Sequence, residues 1–526
     1  MDQFQRFIAL SRYARWLPTD NRRETWEETV DRWFEWMAGK FPELRDRPDV
    51  KEAVLNLEVM PSMRTLMTAG DAADRDNTCT FNCSFLAIDD PEAFKELMFI
   101  LMCGTGIGYS VERTHIDKLP KVPSEIHKDF DKVIVVDDSK EGWADGLYSL
   151  LGYLWDGVHP KWDLSKIRES GARLKTFGGR ASGPQPLEEV FKFVVGSFYK
   201  AQNRKFTPIE AHDICCMIAK SIVVGGVRRS AMISLSDLND RDMALAKSGA
   251  WWEGNNFRSL ANNSAIYDSK PSLGQFLSEW SSLYDSKSGE RGIFNREGAS
   301  NRMTEQGRPS ESIGTNPCGE ILLKSMQMCN LSEVIIRPTD NVTTIKKKVE
   351  IATIIGTCQS KLTDFPYLRK RWEYNCNEDR LLGVSMTGIF DNPITWGKDG
   401  LGKLAHRLER WRDHSVKVNL EWSQKIGVKP SKAITTIKPS GTVSCLADTS
   451  SGIHPRFAKY FIRRVRIGKT DPMYFIMKEE GIPCEDCVMN PTHTAVFSFP
   501  MESPKGSLTA NDISPLQHLE LWRTYK

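Results

Sequence analysis

Asn316-Pro317-Cys318-Gly319-Glu320, with Cys329 eleven residues past the first cysteine, puts a thiol, an amide and a carboxylate on one short turn. These are groups for nucleophilic or radical chemistry, with the second thiol as a nearby electron donor. Pro317 fixes φ ahead of the thiol and Gly319 permits a turn behind it, so Asn316 and Glu320 converge on whatever Cys318 touches. A buried loop cysteine, a capping Asn and a solvated Glu are the plain alternatives. Pro439-Ser440-Gly441-Thr442-Val443-Ser444 supplies hydroxyls and backbone N–H groups for an anion nest, or an ordinary strand-entry turn. Gly104-Thr105-Gly106-Ile107-Gly108 looks like a dinucleotide fingerprint. Its glycine spacing is wrong, however, and it runs from helix to strand, so the glycines are expected to allow close helix–strand packing before a strand over Tyr109–Glu112. Cys484-Glu485-Asp486-Cys487 has redox or half-zinc spacing but no partner pair and no thioredoxin-like frame; it reads as a loop.

These residues need a large scaffold. A chain of 526 residues with 40% hydrophobic residues buries a large core, and one large catalytic unit is consistent with that length. Charges nearly cancel at +3, and no basic block interleaved with aromatics occurs, which argues against a nucleic-acid surface. The longest apolar run, Leu97 to Cys103, is too short to span a bilayer, and no secretory pattern opens the chain, so a cytoplasmic protein is expected. Twelve cysteines there are expected as reduced thiols, with Cys103, Cys215, Cys216, Cys358 and Cys445 in the core. Trp26, Val30, Trp33, Phe34 and Met37 lie at helical spacing. Thr78–Ile88 alternates as a strand, and Asp89-Asp90-Pro91 starts a helix. Lys121 to Pro160 reads as a charged, loop-rich insertion. Short β-rich runs at Ala231–Leu235 and Leu382–Ser385 between helical patterns indicate an α/β fold.

Further motifs follow in order: Val59-Met60-Pro61-Ser62-Met63-Arg64, Asn82-Cys83-Ser84-Phe85, Cys103 to Glu112, Asp137-Asp138-Ser139-Lys140-Glu141-Gly142-Trp143, Gly225-Gly226-Val227-Arg228-Arg229-Ser230-Ala231, Lys438 to Ser444, and Gly452-Ile453-His454-Pro455. With the Cys318 turn, they cover the chain nearly end to end. On them the chain resembles the ribonucleotide reductases, most closely the adenosylcobalamin-dependent class II enzymes of the monomeric, triphosphate-reducing kind.

The resemblance implies a ten-stranded α/β barrel of two five-stranded halves, with the Cys318 turn threaded through it as a finger loop. It implies an N-terminal helical region over 1–60, a catalytic barrel over 61–526 and an inserted effector-site subdomain at about 115–165. Relatives continue past Leu519 to Lys526 into a last strand and a cysteine-bearing tail. The expectation is therefore a barrel lacking that strand, completed by a separate carboxy-terminal polypeptide, since an open strand edge is normally avoided.

The implied activity is reduction of ribonucleotides, with triphosphates favoured by the insertion, to 2′-deoxyribonucleotides for DNA synthesis. Cys318 matches the thiyl that abstracts the 3′ hydrogen, Glu320 the base for the 3′-OH proton, and Asn316 the amide that holds the substrate hydroxyls. Cys83 and Cys329 match the pair that gives two electrons and closes a disulfide. Cys79 competes with Cys83, but only Cys83 lies in Asn-Cys-x-Phe. Ser62, Pro439, Ser440, Gly441, Thr442, Val443 and Ser444 resemble the substrate-phosphate contacts. Gly226, Arg228 and Arg229 resemble a specificity loop answering a deoxynucleotide effector, with Asp90, Asp137, Ser139 and Lys140 as further effector contacts. Glu320 argues against the glycyl-radical relatives. The implied cofactor is adenosylcobalamin, although no Asp-x-His-x-x-Gly motif is present, and no metal-ligand set is assigned. Implied partners are a ribonucleotide, a deoxynucleotide and a thioredoxin-like reductant. The alternative is a non-catalytic nucleotide-binding relative, or a half-enzyme needing a carboxy-terminal partner.

Overall fold

Three helices open the chain: α1 (Gln3–Arg12), α2 (Trp26–Lys40) and α3 (Pro48–Leu55). The helical spacing read from the sequence is the buried stripe of α2, where Trp26, Val30, Trp33, Phe34 and Met37 all face inward. Thr25 and Glu28 close a capping box that satisfies two N-terminal donors. The computed structural model describes residues 1–172, 181–224 and 231–526. They fall into two units: Asp71–Asn330 with Leu362–Leu381, and Met1–Gly70 with Leu331–Lys361 and Leu382–Lys526.

In the unit beginning at Asp71, the strand expected over Thr78–Ile88 forms only as β1 (Cys83–Ala87). Asp76 captures the Thr78 N–H at 2.7 Å and turns Asn77–Thr80 into one 3-10 turn. This is the local side-chain competition that a period-2 pattern does not register. Asp90 caps α4 (Pro91–Met102) with Pro91 in its first turn, as Asp-Pro predicts. β2 (Gly106–Ser110) starts three residues earlier than expected, so two of the glycines lie on the strand itself.

The stretch read as a loop-rich insertion is ordered as β3 (His127–Val135), α5 (Lys140–Trp155) and β4 (Val158–Asp163), with β3 and β4 parallel. β3 is exposed at most positions, so its charged residues hide the strand from a hydrophobicity reading. β5 (Met232–Asp237), β6 (Ala261–Tyr267) and β7 (Gly292–Asn295) complete a parallel run in the order β7-β6-β5-β2-β1. β1 and β2 are buried along their whole length, as expected of parallel strands covered on both faces. This is one five-stranded half of the expected kind. β8 (Ile313–Thr315) and β9 (Leu322–Lys324) form an antiparallel hairpin. β10 (Gln327–Ile335) sets Gln327, Met328 and Cys329 antiparallel to Phe85, Ser84 and Cys83.

In the other unit, Glu333 and Val334 of β10 pair with Met60 and Val59. The expected strand at Leu382 runs to Thr387. Helices Val342–Gln359 and Leu401–Lys425 pack together there. Strands Tyr460–Gly468, Thr494–Glu502 and Cys484–Asp486 form an antiparallel sheet. Of the Cys484–Cys487 segment, expected as a loop, Cys484–Asp486 is therefore an edge strand, with Cys484 exposed on it and Cys487 buried just past its end. Of the five cysteines assigned to the core, Cys103, Cys215, Cys216 and Cys358 are buried. Cys445 is half-buried, and its sulfur accepts from Arg463 Nη1 at 2.9 Å. The α/β class stands, and no helix among the described residues is long and apolar enough to cross a membrane.

Candidate active site

The β8–β9 hairpin lies against β1 and β2 because three glycines leave room for it. A Cβ on Gly108 would sit 1.8 Å from the Thr315 carbonyl oxygen, one on Gly314 2.1 Å from the Phe85 ring, and one on Gly106 3.0 Å from Pro317 Cγ. Gly106 and Gly108 thus serve the approach of the hairpin, a role beyond the helix–strand packing expected of the run.

At the hairpin tip the Asn316 carbonyl accepts the Gly319 N–H at 3.0 Å, and Gly319 adopts φ +82°, the left-handed region that glycine enters without strain. The Asn316 side chain holds the tip together. Its Oδ1 accepts from the Ile321 N–H at 3.0 Å, while its Nδ2 donates to Glu320 Oε2 at 2.7 Å and to Cys83 Sγ at 3.2 Å. One buried amide therefore joins the carboxylate of the turn to a strand thiol. Cys318 is exposed, although Asn316 and Pro317 before it are buried.

Cys83 and Cys329 are direct register partners on β1 and β10. Such partners have Cα atoms about 4.5–5.5 Å apart, inside the range a disulfide bridges. Cys79, the competitor for Cys83, lies in the 3-10 turn before the strand. Burial pushes the Cys83 thiol well up, and the Glu320 carboxylate pushes the same way. Burial also raises Cys329, but there the leading charge is Arg308, which opposes the rise. Both sulfurs are therefore held as protonated thiols at neutral pH.

Arg308 is buried. It donates to Asp379 (Nε, 3.1 Å), to the Leu322 carbonyl (Nη2, 2.8 Å) and to Gln327 Oε1 (Nη2, 3.2 Å). Gln327 Nε2 donates to Asp379 Oδ2 at 2.9 Å, and Lys324 Nζ reaches the same carboxylate at 3.0 Å. Burial raises the Asp379 carboxyl, but Gln327 and Arg308 hold it below the usual carboxylate range. No short motif marks this cluster, because residues 308, 324, 327 and 379 meet only in the fold.

The same unit contains a cavity of about 610 Å³. Ser139 and Lys140 line it, with Arg75, Asp76, Arg168 and Tyr367, which the sequence reading passed over. Lys140 donates to Cys103 Sγ at 3.2 Å, and Ser139 caps α5 through the Gly142 N–H. Asp137 pairs with Lys166 at 2.7 Å, and Asp90 caps α4 with Arg369 4.0 Å away; neither lines the cavity. Gly226, Arg228 and Arg229 lie outside the described residues.

Ser62 and Pro439–Ser444 belong to the other unit. Ser62 is buried and caps helix Met63–Thr68. Pro439 is exposed and Ser440 buried. Gly441 precedes the short helix Thr442–Ala447, Val443 is buried, and the Ser444 hydroxyl donates to the Ser440 carbonyl at 2.9 Å. Lys438 Nζ lies 3.0 Å from buried Glu333.

Residues 116–195 match the family model of the B12-dependent ribonucleotide reductase insertion domain. The adenosylcobalamin-dependent ribonucleoside-triphosphate reductase of Lactobacillus acidophilus is 29% identical over 93% of this chain and 78% of its own. That of Lactobacillus leichmannii is 28% identical with the same coverage. These relatives are single chains, so the separate carboxy-terminal polypeptide finds no support in them. A crystal structure of a B12-dependent class II ribonucleotide reductase superposes with a TM-score of 0.80 at 25% identity, over 98% of this chain and 85% of that one. The class Id alpha subunit of Actinobacillus ureae shares the fold at a TM-score of 0.52 and 13% identity, over 91% and 79%.

Proposed function

Because the chain belongs to the B12-dependent ribonucleotide reductases, we propose that it reduces ribonucleoside triphosphates to 2′-deoxyribonucleotides through a thiyl radical at Cys318. The observation that carries this reading is the Asn316 amide, which donates to both Glu320 and Cys83 beside the Cys318 turn. The exposed Cys318 sulfur leaves room for a bulky group to reach it. Adenosylcobalamin, when bound, supplies the radical equivalent that removes hydrogen from this thiol.

Cys318 then takes the substrate's 3′ hydrogen, and Glu320 accepts the 3′-OH proton. Cys318 returns its hydrogen to C3′ at the end of the turnover, and replacing the 2′-OH by hydrogen, with water leaving, needs two protons and two electrons in all. Cys83 and Cys329, kept protonated by burial, supply these and close a disulfide. Asn316 holds the hydroxyls from where it already joins Glu320 to Cys83. Ser62 and Pro439–Ser444 are assigned to the substrate phosphates. The 610 Å³ cavity beside Ser139, Lys140 and Arg168 is assigned to the deoxynucleotide effector; Asp90 and Asp137 are assigned as further effector contacts and Gly226, Arg228 and Arg229 to the specificity loop. Residues from about 115 to 165, which overlap the matched 116–195 segment, are assigned to the effector subdomain, 1–60 to the scaffold helices and 61–526 to the catalytic part.

A thioredoxin-like dithiol restores the pair, which places the enzyme in the reducing cytoplasm. The test supplies ribonucleoside di- or triphosphate, adenosylcobalamin and dithiothreitol, and measures deoxynucleotide. Product from triphosphates is expected. Nucleotide binding without product would favour the non-catalytic relative.

A further inference from the structure

Cys83 and Cys329 face each other across one antiparallel register, yet the leading charge beside each differs in sign. On the Cys83 side lie the Glu320 carboxylate and the Asn316 amide that ties the two together. On the Cys329 side lies the buried Arg308–Lys324–Asp379 cluster, with two cations against one carboxylate. Gln327, whose Oε1 accepts from Arg308, stands two residues before Cys329 and therefore on the same face of β10. The Coulomb effects agree with this placement. After burial, the leading charge on Cys83 is Glu320; on Cys329 Arg308 leads, and Glu320 follows with the opposite sign. Exposure is also unequal, at 4% for Cys83 and 0% for Cys329.

We propose that Arg308 is a positioning residue that makes Cys329 the leaving sulfur when the Cys83–Cys329 disulfide is re-reduced, so that the incoming thiolate joins Cys83. The inference rests on the disulfide chemistry assigned above. In the first exchange the external thiolate attacks Cys83 Sγ. The Cys83–Cys329 bond breaks with its electron pair on Cys329, and a mixed disulfide forms at Cys83. The second thiol of the same dithiol then displaces Cys83, which takes up a proton. The dithiol departs as its disulfide, and Cys329 regains its proton from water. Exchange is faster when the departing sulfur is the better-stabilised thiolate, and the surplus positive charge beside Cys329 selects it. In the opposite direction Cys83 would be the leaving sulfur of the first, intermolecular exchange, against the Glu320 carboxylate.

The test uses the full chain after one turnover with ribonucleoside triphosphate and adenosylcobalamin. The oxidised protein meets 2-mercaptoethanol briefly, is quenched with iodoacetamide, and its peptides are read by mass spectrometry. The expected result is mercaptoethanol on Cys83 and the carbamidomethyl group on Cys329. The reverse pattern, or an even split, overturns the proposal. Absence of any Cys83–Cys329 linked peptide after turnover would instead refute the underlying reaction. In Arg308→Gln, disulfide re-reduction by dithiothreitol is expected to slow by roughly three- to tenfold, and the mercaptoethanol adduct to spread from Cys83 to Cys329, because the leaving thiolate has lost its counter-charge. Deoxynucleotide formed per pre-reduced enzyme in a single turnover stays unchanged. An unaltered re-reduction rate with the adduct still confined to Cys83 would also overturn the assignment. The trapping experiment is read on the unmodified protein, so it decides the matter even if Arg308→Gln does not fold.

Discussion

Gly108→Ala tests whether the finger hairpin must lie where the glycines admit it. The added Cβ would stand 1.8 Å from the Thr315 carbonyl oxygen and 3.0 Å from its carbon, both backbone atoms of β8. Reaching ordinary contact at 3.4 Å from 1.8 Å requires about 1.6 Å of displacement, and the closest clash is with backbone, which cannot swing aside as a side-chain end would. Thr315 adjoins Asn316, so the shift passes directly to the amide that joins Glu320 to Cys83. Overpacking of this kind costs about 1–3 kcal/mol of stability. A misplacement of about 1 Å in a reacting constellation costs on the order of 100-fold in rate, or about 2.7 kcal/mol of activation free energy. Deoxynucleotide formation in Gly108→Ala is therefore expected to fall by about 100-fold or more, with only a modest loss in the urea midpoint. Gly402→Ala, where nothing lies within 4 Å of the added atom, is the control and should keep full turnover. A Gly108→Ala enzyme with near-normal turnover and an unmoved hairpin in a crystal structure would refute the reasoning.

Cys318→Ser should abolish reduction while leaving nucleotide affinity intact in equilibrium dialysis, since a hydroxyl cannot take the thiol's radical role; retained turnover would end the mechanism. Burial, reinforced by Arg258 and Lys247, pushes the His212 imidazole down from 6.5 to about 3, and its Nδ1 lies 2.8 Å from the Tyr109 hydroxyl. A lowered folded-state value means the stabilisation is complete above pH 6.5 and is lost as pH falls toward 3. This group should therefore contribute a loss of about 2 kcal/mol between pH 6.5 and 5 in urea titrations, and His212→Gln should remove that component of the slope. Arg168→Ala, on the wall of the 610 Å³ cavity, should weaken the effect of added deoxynucleotide on substrate choice without lowering effector-free turnover; an unchanged effector response would remove the cavity from the regulatory reading.

The order of residues alone determined the chemistry-bearing turn, the α/β class and the N-terminal helical stripe. Each is local: Pro317 and Gly319 fix their own backbone, and Trp26 to Met37 repeat at helical spacing whatever surrounds them. The pairing of Cys83 with Cys329 was legible only through resemblance, since no local rule relates residues that far apart. Local competition defeated the pattern at Thr78, where the Asp76 side chain takes an N–H that a strand would have used. Exposure defeated it in β3, whose charged residues carry no core-facing alternation. Tertiary structure alone decided what Gly106 and Gly108 are for, because the atoms they make room for come from residues some two hundred positions later. It likewise decided that Arg308, Lys324 and Asp379 leave one surplus positive charge beside Cys329. Electrostatic asymmetry between two thiols is a property of distance, and distance between remote residues exists only once the chain has folded.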